Sequence, residues 1–128
     1  KDYSPSRMVG VEIDPVMIEV GIEFFAIDSI PNLQIVNTDA KKYMSGLKEK
    51  FDYILVDLYF GENLPEFIYS KSFINNLKRS GGTVIVNHMF YNPLTKKSAS
   101  NLVNQLSSQF NRVELVHSLA NLLVVCST

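Results

Sequence analysis

The chain has 128 residues, 46% of them hydrophobic and 20% charged, with a formal net charge of −1. That length supports one domain with its own core. The even charge balance, with no basic block, speaks against nucleic acid or a membrane surface as the main partner. No apolar run reaches transmembrane length. Cys126 is the only cysteine, which excludes an intrachain disulfide and a cysteine metal cluster. No His/Asp/Glu spacing reads as a metal site, and the cytoplasm is the expected compartment.

The polar Lys1–Arg7 stretch carries a proline and reads as a connector. With no initiator methionine and a strand within ten residues, the chain reads as a piece of something longer, or as a processed or partly observed chain. Met8 to Ile13 is an apolar run of the kind that forms a buried parallel strand. Asp14 can cap the next helix, and Pro15 suits its first position, where the N–H has no intrahelical partner. Glu12 then stands at the strand's carboxyl end, where open α/β sheets bind ligands. It is either an acceptor for two ribose hydroxyls or an acid at a surface strand end beside a cap. Val16 to Asp28 has Met17, Val20, Phe24 and Ile27 at helical spacing, with Ile18 and Phe25 alongside. This predicts one broad buried face, ended by Ser29, Pro31 and Asn32.

Leu33 to Asn37 is a second strand, closed by Thr38-Asp39-Ala40, which opens a helix to about Leu47. Phe51 to Asp57 is the most apolar strand, and centrality in the sheet follows from that. Leu58 to Pro65 is a candidate substrate loop. A helix over Glu66–Arg79 turns Phe67, Phe73, Ile74 and Leu77 inward, and Gly81-Gly82 stops it. Thr83 to Asn87 is the next strand, followed by His88, a second rim loop over Met89–Leu94, and a helix over Thr95–Gln109. Arg112–His117 and Asn121–Ser127 are too closely linked for a parallel pair and must form an antiparallel hairpin. The alternation gives an α/β fold: a mostly parallel sheet with helices on both faces, organised as one domain over 1–128.

Acids at three successive strand ends, Glu12, Asp39 and Asp57, fall on one rim of such a sheet. Asn87 and His88 end a fourth strand. The stretches Val11-Glu12-Ile13-Asp14-Pro15, Asn37-Thr38-Asp39-Ala40, Phe51 to Asp57, Pro65 through Tyr69 to Phe73, and Gly81 to Asn87 resemble the class I S-adenosylmethionine-dependent methyltransferase fold. Within that Rossmann-like fold they are similar to the spermidine synthase-like branch, and the terminal hairpin is similar too. The resemblance implies S-adenosylmethionine, or its decarboxylated form, as a nucleoside cofactor. Glu12 would hold its ribose hydroxyls, with Asp14 in the same turn. Asp39 and Ala40 would lie beside the adenine, and Asp57 would face the sulfonium and an acceptor amine as the catalytic residue. The donor and acceptor chemistry agrees, since ionised carboxylates only accept, while hydroxyls and the exocyclic amine donate.

Three departures qualify the resemblance. The family's glycine-rich loop and the strand before it have no counterpart, so the first strand is missing between those ending at Ile13 and Val56. Upstream sequence, another segment, a rearranged sheet or a swapped homodimer would have to fill the gap. Where spermidine synthases carry a second aspartate, three residues after the one matched by Asp57, this chain has Phe60. That argues against a spermidine synthase, and together with the absent loop it favours a degenerate, non-catalytic domain. No methyl-acceptor signature follows Asn87.

Other residues stay open. Tyr59, Phe60 and Tyr69 either line an acceptor pocket or pack the loop. His88 is a base, a substrate contact or a rim residue without a role; His117 is structural, and Cys126 is core. The expected activity is group transfer from a sulfonium to a nucleophile. The rivals are a polyamine aminopropyltransferase, an NAD-type dinucleotide domain, which the terminal hairpin disfavours, and a non-catalytic degenerate domain used for partner binding or dimerisation.

Overall fold

The computed structural model describes residues 5–61 and 63–128. Lys1 to Ser4, part of the predicted connector, and Glu62 in the predicted substrate loop lie outside the described residues. The chain divides into two compact units, Lys1–Gly46 and Leu47–Thr128.

The first unit is a strand–helix–strand–helix segment: β1 (Met8–Glu12), α1 (Pro15–Phe25), β2 (Leu33–Asn37) and α2 (Ala40–Gly46). β1 and β2 pair in parallel with Gly10 opposite Ile35 and Glu12 opposite Asn37. Asp14 caps α1 as predicted, accepting from the Val16 N–H at 2.9 Å, with Pro15 in the first turn. The helix ends earlier than its apolar spacing predicts. Ala26 takes a left-handed conformation (φ 49°), its N–H bonds back to Gly21 and Ile22, and a 3-10 turn over Ile27–Ser29 follows. The expected broad buried face of α1 is not found. Ile18, Val20 and Ile27 are half-buried, whereas Met17, Phe24 and Phe25 are exposed. A single parallel strand pair is too narrow to cover a helix face that wide.

The second unit contains β3 (Phe51–Val56), α3 (Lys71–Ser80), β4 (Gly81–Met89), α4 (Pro93–Ser107), β5 (Arg112–Ser118) and β6 (Asn121–Ser127). Its sheet runs β3-β4-β6-β5, with β3 and β4 parallel and β4, β6 and β5 antiparallel in turn. The hairpin is therefore as predicted. β3 is an edge strand of this sheet rather than a central one, and it exposes Tyr53 (69%) and Leu55 (73%) on one face. Strand residues two apart share a face. Val84, Val86 and His88 of β4 and Leu122, Val124 and Cys126 of β6 form the opposite, core face. Phe73, Ile74 and Leu77 of α3 and Ala99, Leu102 and Leu106 of α4 are buried as well, and both helices pack on β4. Burial pushes the Cys126 thiol up to about 11, in keeping with its core assignment.

Several boundaries differ from the predicted ones: β4 runs on to Met89, and α4 spans Pro93–Ser107, starting inside the predicted Met89–Leu94 loop. The single helix over Glu66–Arg79 is a 3-10 turn (Glu66–Tyr69) and then α3, separated by Ser70 in an extended conformation (ψ 137°). Ser70 Oγ accepts from the Phe73 N–H, so a serine that could sit inside a helix instead starts one. Gly81 and Gly82 do stop α3, but they also begin β4. Asp52 main-chain oxygen lies 3.0 Å from where a Gly82 Cβ would stand, which is why the close approach of β3 suits a glycine there. No helix among the described residues is long and apolar enough to cross a membrane.

Candidate functional site

In the first unit, Glu12 and Asp39 stand at the carboxyl ends of the paired strands β1 and β2. The Thr38 N–H bonds the Glu12 carbonyl oxygen at 3.0 Å, and Asn37 Nδ2 donates to the carbonyl oxygens of Glu12 and Ile13 at 2.9 and 3.1 Å. These bonds lock the two strand ends together. Glu12 Oε1 accepts from the Asp14 N–H at 2.8 Å, which orients the carboxylate along the turn. Asp39 Oδ1 accepts from the Lys42 N–H at 2.8 Å and so caps α2, which begins at Ala40. Each acid thus spends one oxygen on its own main chain and keeps a second to offer. Asp14 is occupied as the cap of α1.

In the second unit, Asp57 follows β3 directly and is exposed. Asn87 Nδ2 donates to its Oδ1 at 3.0 Å. A carboxylate accepts, so the amide must turn its nitrogen to Asp57. Asn87 Oδ1 then points the other way and is buried with no hydrogen-bond partner. Tyr59 O–H donates to the Asn87 main-chain oxygen at 3.4 Å. Burial raises the Tyr59 phenol above its ordinary range, and the negative charges of Asp57 and of an ionised Tyr69 add to the effect.

His88 is not the solvated rim residue that its position after the predicted strand implied. It is 1% exposed and lies within β4 on the core face. Its Nδ1 lies 2.6 Å from the Met89 carbonyl oxygen, which can only accept, so Nδ1 carries the hydrogen. Nε2 is therefore the acceptor for Tyr69 O–H at 2.9 Å. Burial holds the imidazole below its ordinary range, partly offset by the Met89 bond. Burial raises the Tyr69 phenol, and a hydrogen bond from Ser98 opposes this. Ser98 escaped the sequence reading because it lies in a helix with no neighbouring signal. Asn87 was visible as a strand-end residue, and its bond to Asp57 follows from the β3–β4 register, in which Val56 faces Val86. His117 is exposed, and its ring lies edge-on to Phe90.

The loop after β3 carries an isolated bridge between Phe60 and Asn63. Phe60 and Asn63 exchange two main-chain hydrogen bonds, at 2.6 and 3.2 Å, around Gly61 at φ 63°. Phe60 is 84% exposed. A separate cleft of about 690 Å³, lined by Lys50, Asp52, Lys78, Arg79 and Gly82 among others, lies at the opposite ends of β3 and β4. Its Lys78 and Arg79 already donate to the carbonyl oxygens of Gln109 and Leu47. Among the described residues no group of three or more His, Cys, Asp or Glu side chains could hold a metal ion.

Comparison with known proteins gives the family and the fold. The spermine/spermidine synthase domain matches residues 2–121. The polyamine aminopropyltransferase of Vibrio vulnificus (strain CMCP6) is 34% identical over 91 residues, covering 66% of this chain and 30% of that protein. The chain thus spans about a third of the length of that relative. A probable spermidine synthase from Corynebacterium glutamicum ATCC 13032 superposes with a TM-score of 0.81 at 21% identity, over 94% of this chain and 47% of the other. Human methyltransferase-like protein 13, solved in complex with SAH, gives a TM-score of 0.75 at 22% identity, over 94% and 60%. These likenesses establish the Rossmann-like α/β methyltransferase fold. With nearly the whole length matched by one domain description, the chain belongs to the spermine/spermidine synthase family.

Proposed function

We propose that this chain is the nucleoside-binding part of a transferase that uses S-adenosylmethionine or its decarboxylated form and delivers a group to an amine. The observation that carries the reading is the placement of Glu12 and Asp39 at the ends of two hydrogen-bonded parallel strands, in a chain of this family. The donor set fits an adenosine. Glu12 has a carboxylate oxygen beyond the one held by Asp14 for ribose hydroxyls, and Asp39 has one beyond the cap for the exocyclic amine. Asp14 and Ala40 shape the two turns that present them.

When bound, the sulfonium supplies an electrophilic carbon. An amine nitrogen taking that carbon would leave the C–S electron pair on sulfur, as a neutral thioether. Asp57 is the chain's own contribution to this step. Held by Asn87 and open to solvent, it orients the amine, offsets the positive charge growing on nitrogen and takes the proton that nitrogen must lose. The curated relative's name supports the aminopropyl group as the one moved, and the SAH-bound neighbour supports a methyl donor.

Calorimetric titration of the intact protein with methylthioadenosine tests the site, and saturable binding is expected. Absence of heat with a folded protein contradicts the reading. Mass spectrometry of the spent nucleoside then names the group: methylthioadenosine reports aminopropyl transfer and S-adenosylhomocysteine reports methyl transfer.

A further inference from the structure

The whole-chain charge of −1 hides a segregation. Twelve of the 13 acids precede Phe67. From Phe67 to Thr128 the cations Lys71, Lys78, Arg79, Lys96, Lys97 and Arg112 stand against one acid, Glu114. Glu114 pairs with Arg112, and Lys78 donates to the Gln109 carbonyl oxygen. Lys71, Arg79, Lys96 and Lys97 are exposed, and the sequence places no carboxylate between Glu66 and Glu114. Arg79 spends one of its five N–H donors on the Leu47 carbonyl, and Lys96 lies over the Phe90 ring.

These four cations come from two neighbouring helices of one unit. α3 and α4 touch each other and pack on the core face of β4. Outward, α3 presents Lys71, Asn75 and Arg79 at i, i+4 and i+8, and α4 presents Lys97, Asn101 and Asn104 at i, i+4 and i+7. The Tyr69–Ser98 hydrogen bond joins the approach to α3 with the first half of α4, which brings Lys71 and Lys97 to the same end of the face. Helices gain stability from acids near their N-termini. Lys71 instead is the first residue of α3, Lys96 closes the first turn of α4, and neither helix has an acid in its first turn. Helix stability therefore does not account for these lysines. Cations and side-chain amides without carboxylates are the groups that contact phosphodiester backbones. The face ends on the exposed Tyr91, just ahead of the α4 cap Asn92, an aromatic on which an unpaired base can stack.

We propose that the α3–α4 face binds a single-stranded nucleic acid, with Lys71, Arg79, Lys96 and Lys97 on phosphates and Tyr91 against a base. The surface lies within one unit and uses neither Asp57 nor the acids of the first unit, so the inference stands apart from the transferase reading.

Fluorescence anisotropy of a labelled thymidine oligonucleotide of about 20 nucleotides, titrated with the intact protein, tests it. Saturable binding is expected at low salt. It should weaken about fiftyfold between about 50 and 200 mM salt, from about four phosphate contacts with a slope of about −0.7 each. Lys71→Glu combined with Lys97→Glu is expected to weaken binding about tenfold or more, with Tm unchanged or raised because acids then sit near the helix N-termini. Lys41→Glu combined with Lys42→Glu makes the same charge change on α2 of the other unit and is expected to alter affinity by less than about twofold. Tyr91→Ala is expected to weaken the oligonucleotide about fivefold and to leave a duplex of the same length unaffected. No binding at low salt, equal losses in the two lysine pairs, an unchanged affinity in Tyr91→Ala, or equal or tighter binding of the duplex or of polyglutamate overturns the proposal.

Discussion

Asn87→Leu separates what holds the protein together from what the site requires. The substitution keeps the side chain's size and removes two opposed contributions. One is the Nδ2 bond to Asp57. A hydrogen bond to a charged group contributes about 1.5–3 kcal/mol, but Asp57 is exposed and solvent screens it, so about 1 kcal/mol is the larger part of what is lost. The other is the buried, unpartnered Oδ1, whose desolvation costs about 1–3 kcal/mol. Asn87 faces Leu123 across the β4–β6 ladder, so a leucine gains an apolar cross-strand neighbour worth about 0.2–1 kcal/mol. The sum favours the variant by about 1 kcal/mol, or a rise of about 3 °C in Tm for a chain of this size. Transfer activity is expected to fall, because Asp57 loses the group that holds it. Thermal and urea denaturation followed by circular dichroism measure the first effect, and turnover the second. A drop in Tm of a few degrees refutes the reasoning, since it means that Oδ1 is satisfied in the folded protein.

His88 predicts a pH dependence. Its folded-state pKa lies below the ordinary 6.5, so below about pH 6.5 the unfolded chain binds a proton that the folded one refuses. The His88 contribution is complete above that pH and is lost as pH falls toward the lowered value; His88→Phe is expected to flatten urea midpoints between about pH 7 and 5. Leu102, 0% exposed beneath the second unit's sheet, is expected to cost about 2–5 kcal/mol on replacement by alanine, read from urea unfolding. Asp57→Asn is expected to lower kcat about a hundredfold while the Kd for methylthioadenosine changes little. Equal losses in both would place Asp57 away from the reacting atoms.

Much of this was legible because local rules and packing agree. Leu33–Asn37 carries a strand run bounded by turn residues on both sides, and β2 has those limits. The β5–β6 hairpin follows from a linker too short for anything else. Asp14-Pro15 reads as a helix start and is one. Other features carried no mark. Ala26 ends α1 in a left-handed conformation that a glycine would have announced. Ser70 breaks a helical pattern from within, and only its fitness as a cap distinguishes it from a tolerated interior serine. The apolarity of β3 was read as centrality in the sheet, yet within its unit the strand is an edge with Tyr53 and Leu55 exposed. His88 was recoverable, because Val84, Val86 and His88 fall on one face at period two and the valines fix that face as core. The acids Glu12, Asp39 and Asp57 were legible as strand-end groups. The capping bond that occupies Asp39 and the amide that holds Asp57 depend on neighbours in space.

The affinity of methylthioadenosine for Glu12→Gln, set against the parent protein, tests the central claim most directly. Glutamine keeps an oxygen for the Asp14 N–H, so the turn survives, and it turns an N–H₂ toward the ribose where an acceptor stood. The account predicts a loss of about 1–3 kcal/mol, or about 5- to 150-fold in Kd, with Tm unchanged. Equal affinities in the two proteins would contradict it, because the ribose would then be held elsewhere.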